Sequence, residues 1–244
     1  MAIVLFTDFG SSDLYVGQVE AVLERYAPGV RIIHLLHDAP AFNVKASAHL
    51  LAALAQKIPR GHVFMGVVDP GVGSDRGALV LRADGRWFVG PDNGLFSVIA
   101  GRAAARSCWH VTGTPARLAP SFHGRDLFAP MAAAVATDDF PNSNVKASPG
   151  LQVELGSVDL PEIIYVDHYG NAFSGIRATD VFHDAIIAVA GRDVRHARVF
   201  SAVEPGVAVW YENSVGLLEI AVNQGSAADL LGLAVGDPVE LVAP

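Results

Sequence analysis

Apolar residues in this chain follow two rhythms. From residue 2 to residue 69, short apolar runs alternate with stretches in which apolar positions recur every three or four residues. Ala2 to Phe6, Arg31 to Leu35 and Val63 to Val68 have the length of strands. Val16, Val19, Leu23 and Tyr26 share one face of a helix that Asp13 is placed to cap and Pro28-Gly29 to end. Val44, Ala48, Leu51 and Ala55 mark a second helix, capped by Asn43. Strand, helix, strand, helix, strand is the pattern of an α/β domain with a mostly parallel sheet. Ala78 to Leu81 continues it as a strand, WFVGPDNG (87–94) as strand, turn and helix, and SFHGRDLFAP (121–130) as a polar loop before an Ala-rich helix. The rhythm changes at the polar stretch DDFPNSNVKASPG (138–150). Beyond it, apolar runs at 161–166, 185–190, 207–211 and 216–222 are separated by Gly, Asn and Asp, followed by a short helix, Ala227 to Leu231, and a strand, Pro238 to Val242. The expected organisation is an N-terminal α/β domain over 1–140, a linker over 141–150 and a smaller C-terminal β-barrel domain over 151–244.

Composition narrows the function classes. With 244 residues, 51% apolar and 17% charged, the chain can bury a large core. A net charge of −8 argues against a nucleic-acid partner. No apolar run reaches the length of a membrane span, and the N-terminus lacks the basic start and long apolar stretch of a signal peptide. The single cysteine, Cys108, excludes an intrachain disulfide and a thiolate metal cluster. These features fit a cytoplasmic protein.

Four polar clusters interrupt the apolar chain: TDFGSSD (7–13), VDPGVGSDR (68–76), FHGRD (122–126), and DHYGN (167–171) with NSVG (213–216). Each holds groups that are costly to bury unless paired. The second is the most informative. A strand ends in Asp69, and Arg76 can fold back toward it over the Gly71/Gly73 turn. By itself this reads better as a hairpin with a surface ion pair. Gly71-x-Gly73 lacks the third glycine and the helix of a dinucleotide fingerprint, and Asp8-Phe9-Gly10 lacks the catalytic loop of a kinase. His123 sits in a Gly-flanked loop beside Arg125 and Asp126, which can pair with each other and leave the imidazole to pack. His34 and His37 with Asp38 lack the spacing of a helical zinc motif. Asp8, Asp13, Asp69 and Asp92 could instead gather around Mg²⁺ for phosphoester hydrolysis. No GxSxG elbow supports a serine triad.

In order along the chain, TDFGSSDLYVG, VDPGVGSDR, PDNG, FHGRDLFAP, DHYGN and NSVGLLEIAVNQGSA resemble the S-adenosyl-L-methionine (SAM) hydrolases, also called SAM hydroxide adenosyltransferases, relatives of the SAM-dependent fluorinase and chlorinase. The resemblance implies an α/β domain followed by a β-barrel. It also implies a homotrimer with sites shared between neighbouring subunits, and conversion of SAM and water to adenosine and L-methionine without a metal or cofactor. It places the family's catalytic triad on Asp69, Arg76 and His123. On the substrate side it places Asp8 at the ribose hydroxyls with Asp13 in the same loop, Phe42 against the ligand, Asn171 at the adenine edge and Tyr169 stacked near it. Asp167 and Glu219 would face the methionine ammonium and Ser214 its carboxylate. The halogenating relatives present a tyrosine at the Asp69 position and a small residue such as threonine at the Val72 position, which favours water over halide here. A SAM-dependent halogenase and a non-catalytic SAM or adenosine binder are the alternatives.

A sulfonium is already an activated leaving group, because methionine departs neutral. The difficult part is the nucleophile. Holding one water in line with the carbon–sulfur bond removes much of the entropic barrier, and a placed base adds about 10²- to 10⁴-fold. Arg76 beside Asp69 weakens that carboxylate as a base. The sequence therefore favours Asp69 and Arg76 as holding the water and His123 as the proton acceptor.

Overall fold

A computed structural model describes residues 1–113 and 117–242. The chain divides into two compact units, Met1–Ala48 with Ile58–Ser157, and His49–Lys57 with Val158–Pro244. In the first unit the sequence pattern becomes β1 (Ala2–Thr7), α1 (Tyr15–Tyr26), β2 (Arg31–Leu36), α2 (Val44–Lys57, whose second half falls in the other unit) and β3 (Val63–Val67). These are followed by β4 (Ala78–Ala83), β5 (Arg86–Pro91), α3 (Ser97–Arg102), β6 (Arg106–Val111), a π-helix (Gly124–Phe128), α4 (Ala129–Ala136) and β7 (Val145–Ser148). The sheet order is β2-β1-β3-β5-β4-β6-β7. β2, β1, β3 and β5 run parallel, and β4, β6 and β7 pair antiparallel.

β1 and β3 are buried at every residue, as strands covered on both faces must be. α4 packs on β1, β3 and β5, and α1 packs on α4. Val19 and Leu23 of α1 meet Phe128, Met131 and Val135 in one core with Ile3, Leu5 and Met65. Asn43 caps α2, its Oδ1 accepting from Ala46 N at 3.0 Å. Asp13 does not cap α1. The helix begins at Tyr15 with Leu14 at the N-cap and no side-chain cap bond, and Asp13 Oδ1 accepts from the adjacent Leu14 N.

β3 and β4 do not form a hairpin, because β5 lies between them. The hairpin is β4–β5. Its Asp84-Gly85 turn has both residues at positive φ, 46° and 79°, which suits the twist of a two-residue connection. The polar stretch 141–150 contains β7, which pairs with β6 as an edge strand.

The second unit contains β8 (Leu160–Val166), β9 (Ala172–Arg177), β10 (Ile186–Val189), β11 (Arg192–His196), β12 (Ala208–Glu212), β13 (Leu217–Val222), α5 (Ala227–Leu231) and β14 (Val239–Val242). The order is β14-β10-β11-β12-β13-β9-β8. A bridge between Glu162 and Pro238 joins the two outer strands, so the sheet is nearly a barrel. Ile163, Trp210, Leu218 and Ile220 fill its interior.

Candidate active site

Asp69 leaves the end of β3 in a tightly wound loop. Val72 N donates to Asp69 O at 3.2 Å, and Ser74 Oγ donates to Gly71 O at 2.7 Å. Gly73 has φ +79°, and a Cβ there would stand 2.6 Å from the Pro120 carbonyl oxygen. Only glycine lets this loop close on the segment that leads to His123. Arg76 then folds back. Its Nε lies 3.0 Å from both Asp69 carboxylate oxygens, and its Nη2 donates to Oδ2. The same Nη2 lies 2.8 Å from His123 Nδ1, and the Phe128 ring supports the guanidinium at 5.1 Å. The Asp69 and Arg76 side chains are 5% and 10% exposed, so this is a buried cluster and not a surface ion pair. His123 directly precedes the π-helix, a wide turn often found at functional sites. Arg125 and Asp126 pair locally at 2.6 Å, Arg125 reaches Gln18 in α1, and His123 is left to Arg76.

A guanidinium only donates. His123 Nδ1 is therefore an acceptor, and its proton sits on Nε2. Burial, and then the Arg76 charge, hold the imidazole pKa below its ordinary value. The ring is neutral and offers an N–H at its far side. This reverses the role the sequence favoured for it: the free lone pairs of the cluster belong to Asp69, whose two oxygens can accept more than the Arg76 bonds. The lowered pKa fixes a sign for stability. Between that folded value and the unfolded value near 6.5, the unfolded chain binds more protons, so stability rises with pH. The contribution of neutral His123 is present above about pH 6.5 and lost on acidification through the folded pKa. Melting curves from pH 5 to 8 should therefore show a smaller acid-side drop in His123→Gln than in the unaltered protein.

Asp8 follows β1 and accepts from Phe42 N through Oδ2 at 3.4 Å. Burial raises its pKa, and the Phe42 amide partly offsets this. Phe42 has φ +62°, an unusual conformation for a bulky residue, and leaves its ring 78% exposed. Asp13 is exposed and, among the described residues, joins none of these polar groups. Asp92 does not share a site with Asp69. It is buried, accepts from Gln152 N and Val153 N, and lies 3.1 Å from His110 Nε2. Among the described residues no group of three or more His, Cys, Asp or Glu is arranged to hold a metal ion.

In the second unit Asp167, Tyr169, Asn171, Ser214 and Glu219 line one cavity of about 800 Å³. Asp167 Oδ1 accepts from Tyr169 N and Asn171 N, both at 2.9 Å, and its Oδ2 from Asn171 Nδ2 at 3.0 Å. The carboxylate thus shapes the loop that presents the tyrosine and the amide. Glu219, buried in β13, accepts from the Tyr211 hydroxyl. Burial raises its pKa, the Tyr211 and Asn213 hydrogen bonds pull it down, and the Asp167 charge adds to the rise. Phe173, Phe200 and Gln224 complete the walls.

Family models for the SAM hydroxide adenosyltransferase N-terminal and C-terminal domains match residues 3–144 and 161–240. The chain belongs to the SAM hydroxide adenosyltransferase family. It is 37% identical to an (R)-S-adenosyl-L-methionine hydrolase of Thermus thermophilus, over 98% of this chain and 99% of that one. It is 36% identical to a protein of the same name from Salinispora arenicola, over 97% and 96%. An uncharacterized conserved protein of Thermotoga maritima superposes with a TM-score of 0.87 at 30% identity, over 99% of this chain and 100% of that one. In this hydroxide adenosyltransferase family member, sequence reasoning did not find Phe173, Phe200, Tyr211 and Gln224. Phe173 sits in a strand that the apolar pattern did not mark, and Tyr211 sits in an apolar run where nothing local separates a wall residue from core.

Proposed function

We propose that the protein hydrolyses SAM to adenosine and L-methionine by in-line attack of water on the ribose 5′ carbon. The observation that carries this is the buried Asp69–Arg76–His123 cluster, in a chain that resembles named SAM hydrolases from end to end. Water attacks C5′, the carbon–sulfur bond breaks with its electron pair going to sulfur, and methionine leaves as a neutral thioether. Asp69 accepts the water's hydrogen and takes the proton as the carbon–oxygen bond forms. Arg76 fixes the carboxylate, and His123 Nε2–H helps orient the nucleophile. A buried cluster strengthens these interactions because little water competes with them. Asp8 binds the ribose hydroxyls, and the cavity around Asn171 and Tyr169 takes the adenine, with Asp167, Glu219 and Ser214 toward the amino-acid end. No cofactor or metal enters these steps.

The relatives' name specifies the (R) sulfonium, and the same epimer is the proposed substrate here. A homotrimer whose neighbouring subunits complete each site belongs to the proposal; it is supported by the division of these residues between two units and by the exposed Phe42 and Tyr169 rings. A cytoplasmic setting fits the lone buried Cys108. Among the described residues no helix is long and apolar enough to cross a membrane.

Chromatography of SAM incubated with the protein in ¹⁸O-labelled water tests the reading. The expected products are methionine and adenosine labelled at the 5′ oxygen, with the (R) epimer consumed first from a mixture. A halogenated nucleoside when chloride is present, or no turnover, would overturn it.

A further inference from the structure

One chain of polar side chains outside the Asp69 cluster runs from the surface to the base of the Asp8 loop. His34 Nε2 lies 3.3 Å from Glu20 Oε1, and both side chains are nearly half exposed. His34 Nδ1 lies 2.8 Å from His37 Nε2, and His37 Nδ1 lies 2.9 Å from Thr7 Oγ1. Thr7 and His37 are buried. The chemistry of the groups fixes the direction of every bond. A carboxylate accepts, so the His34 hydrogen is on Nε2. Neutral His34 then accepts at Nδ1, His37 donates from Nε2, and the remaining His37 lone pair accepts the Thr7 hydroxyl. With both rings neutral, every group is satisfied.

The backbone around this chain joins two loops. Gly10 N donates to His37 O at 2.8 Å, Ala39 N to Thr7 O at 3.0 Å and Ser11 N to Asp38 Oδ1 at 3.1 Å, beside the Phe42–Asp8 bond. These are the loops that carry Asp8 and Phe42.

We propose that His37, braced by His34, is a positioning residue for the two substrate loops, and that one proton taken up by this pair loosens their hold on SAM. The added proton reverses the chain: His34 donates to His37, and His37 Nδ1–H donates to Thr7. The Thr7 hydrogen then has no acceptor, since among the described residues His37 is its one side-chain partner and the hydroxyl is buried. An orphaned buried donor costs enough to shift the local structure. A second proton would set two N–H groups against each other at 2.8 Å. The titratable groups facing His37 are His34 from β2, Asp38 from the following loop and Glu20 from α1. Burial and His34 hold its pKa below the ordinary value, and the two carboxylates partly offset this. The inference rests on the proposed SAM hydrolysis and supplies a regulation of that site that bypasses its reacting groups.

Steady-state kinetics with SAM and calorimetry with adenosine, both from pH 5.5 to 8, test it. In the unaltered protein KM and the adenosine Kd should rise about tenfold on acidification, the scale of one lost buried hydrogen bond. His37→Gln keeps an acceptor for Thr7 and a donor for His34 but does not titrate, so both constants should stay flat within about twofold. Asp8 is present in both proteins, so its own titration cancels. His37→Leu should raise KM about tenfold even at pH 8 with a smaller change in kcat. If that variant does not fold, the comparison of His37→Gln with the unaltered protein carries the test, since flat constants in the variant against rising ones in the parent are the signature of the titrating pair. An acid-side rise in His37→Gln equal to that of the unaltered protein overturns the inference, as does an unchanged KM in His37→Leu. Absence of both turnover and adenosine binding in the unaltered protein overturns the proposed function and this inference with it, whereas pH-independent binding in an active enzyme overturns the inference alone.

Discussion

Arg76→Ala is expected to lower kcat about a thousandfold while adenosine affinity changes less than about threefold. Arg76 is the one side chain that touches both other members of the cluster. Without it the Asp69 carboxylate loses the donors that hold both its oxygens, and His123 loses the bond that fixes its tautomer. The groups proposed to bind adenosine lie elsewhere, on Asp8 and around the Asn171 cavity. Loss of a contact that matters mainly in the transition state lowers kcat and kcat/KM together. Arg76→Lys should recover only a small part, because a single ammonium cannot present the planar fork that spans a carboxylate and a ring nitrogen. Single-turnover rates give the chemical step and calorimetry gives the binding. If Arg76→Ala retains activity within about tenfold, the cluster is structural and the proposed water activation fails.

Gly90→Ala is expected to destabilise the first unit by about 3 kcal/mol or more. Gly90 in β5 lies beside Gly66 in β3, and a Cβ on it would come within 2.1 Å of the Gly66 carbonyl oxygen and 3.0 Å of Phe96 Cζ. The obstruction is backbone in the centre of a sheet, so no rotamer change relieves it. Both strands feed polar loops, β3 to Asp69 and β5 to Asp92, so the close approach also sets where those loops start. Gly17→Ala is the contrast. Its Cβ meets nothing within 4 Å on helix α1, and it should leave stability unchanged or raise it by up to about 1 kcal/mol. Denaturant titration of the two variants measures the difference. A Gly90→Ala midpoint equal to that of the parent would show that the sheet can spread at this point.

The sequence marked the elements that carry an apolar run or a helical apolar stripe and lost those held by neighbours. β1, α1, β2, α2 and β3 follow from periodicity alone. β11, RDVRH, buries only Val194 fully, and β9, AFSGIR, is broken by Ser174 and Gly175, so neither shows an apolar run. β7 lies within a stretch that its Pro, Ser and Asn content marks as polar, yet β6 supplies the partner that makes it a strand. In the cluster, Asp69 and Arg76 are seven residues apart and their pairing is local. His123 is 47 residues beyond Arg76, and no periodicity brings it there. Its tautomer, which moves the accepting role to Asp69, depends on the single contact at Nδ1 and so could not be read from residue types. Likewise the sequence could set aside His34 and His37 as a zinc motif but could not show what they do; their facing nitrogens bond to each other.

The joining of β8 to β14 through Glu162 and Pro238 has a consequence for solubility. A sheet that meets its own edge offers little open backbone for another chain to extend. The first unit has no such closure, and its outer strands are β2 and β7. Both are guarded by exposed charged or polar side chains, Arg31 and His34 on β2 and Lys146 on β7. Apolar replacements at these positions would turn each border into a template for strand addition, with aggregation and not loss of the fold as the first symptom.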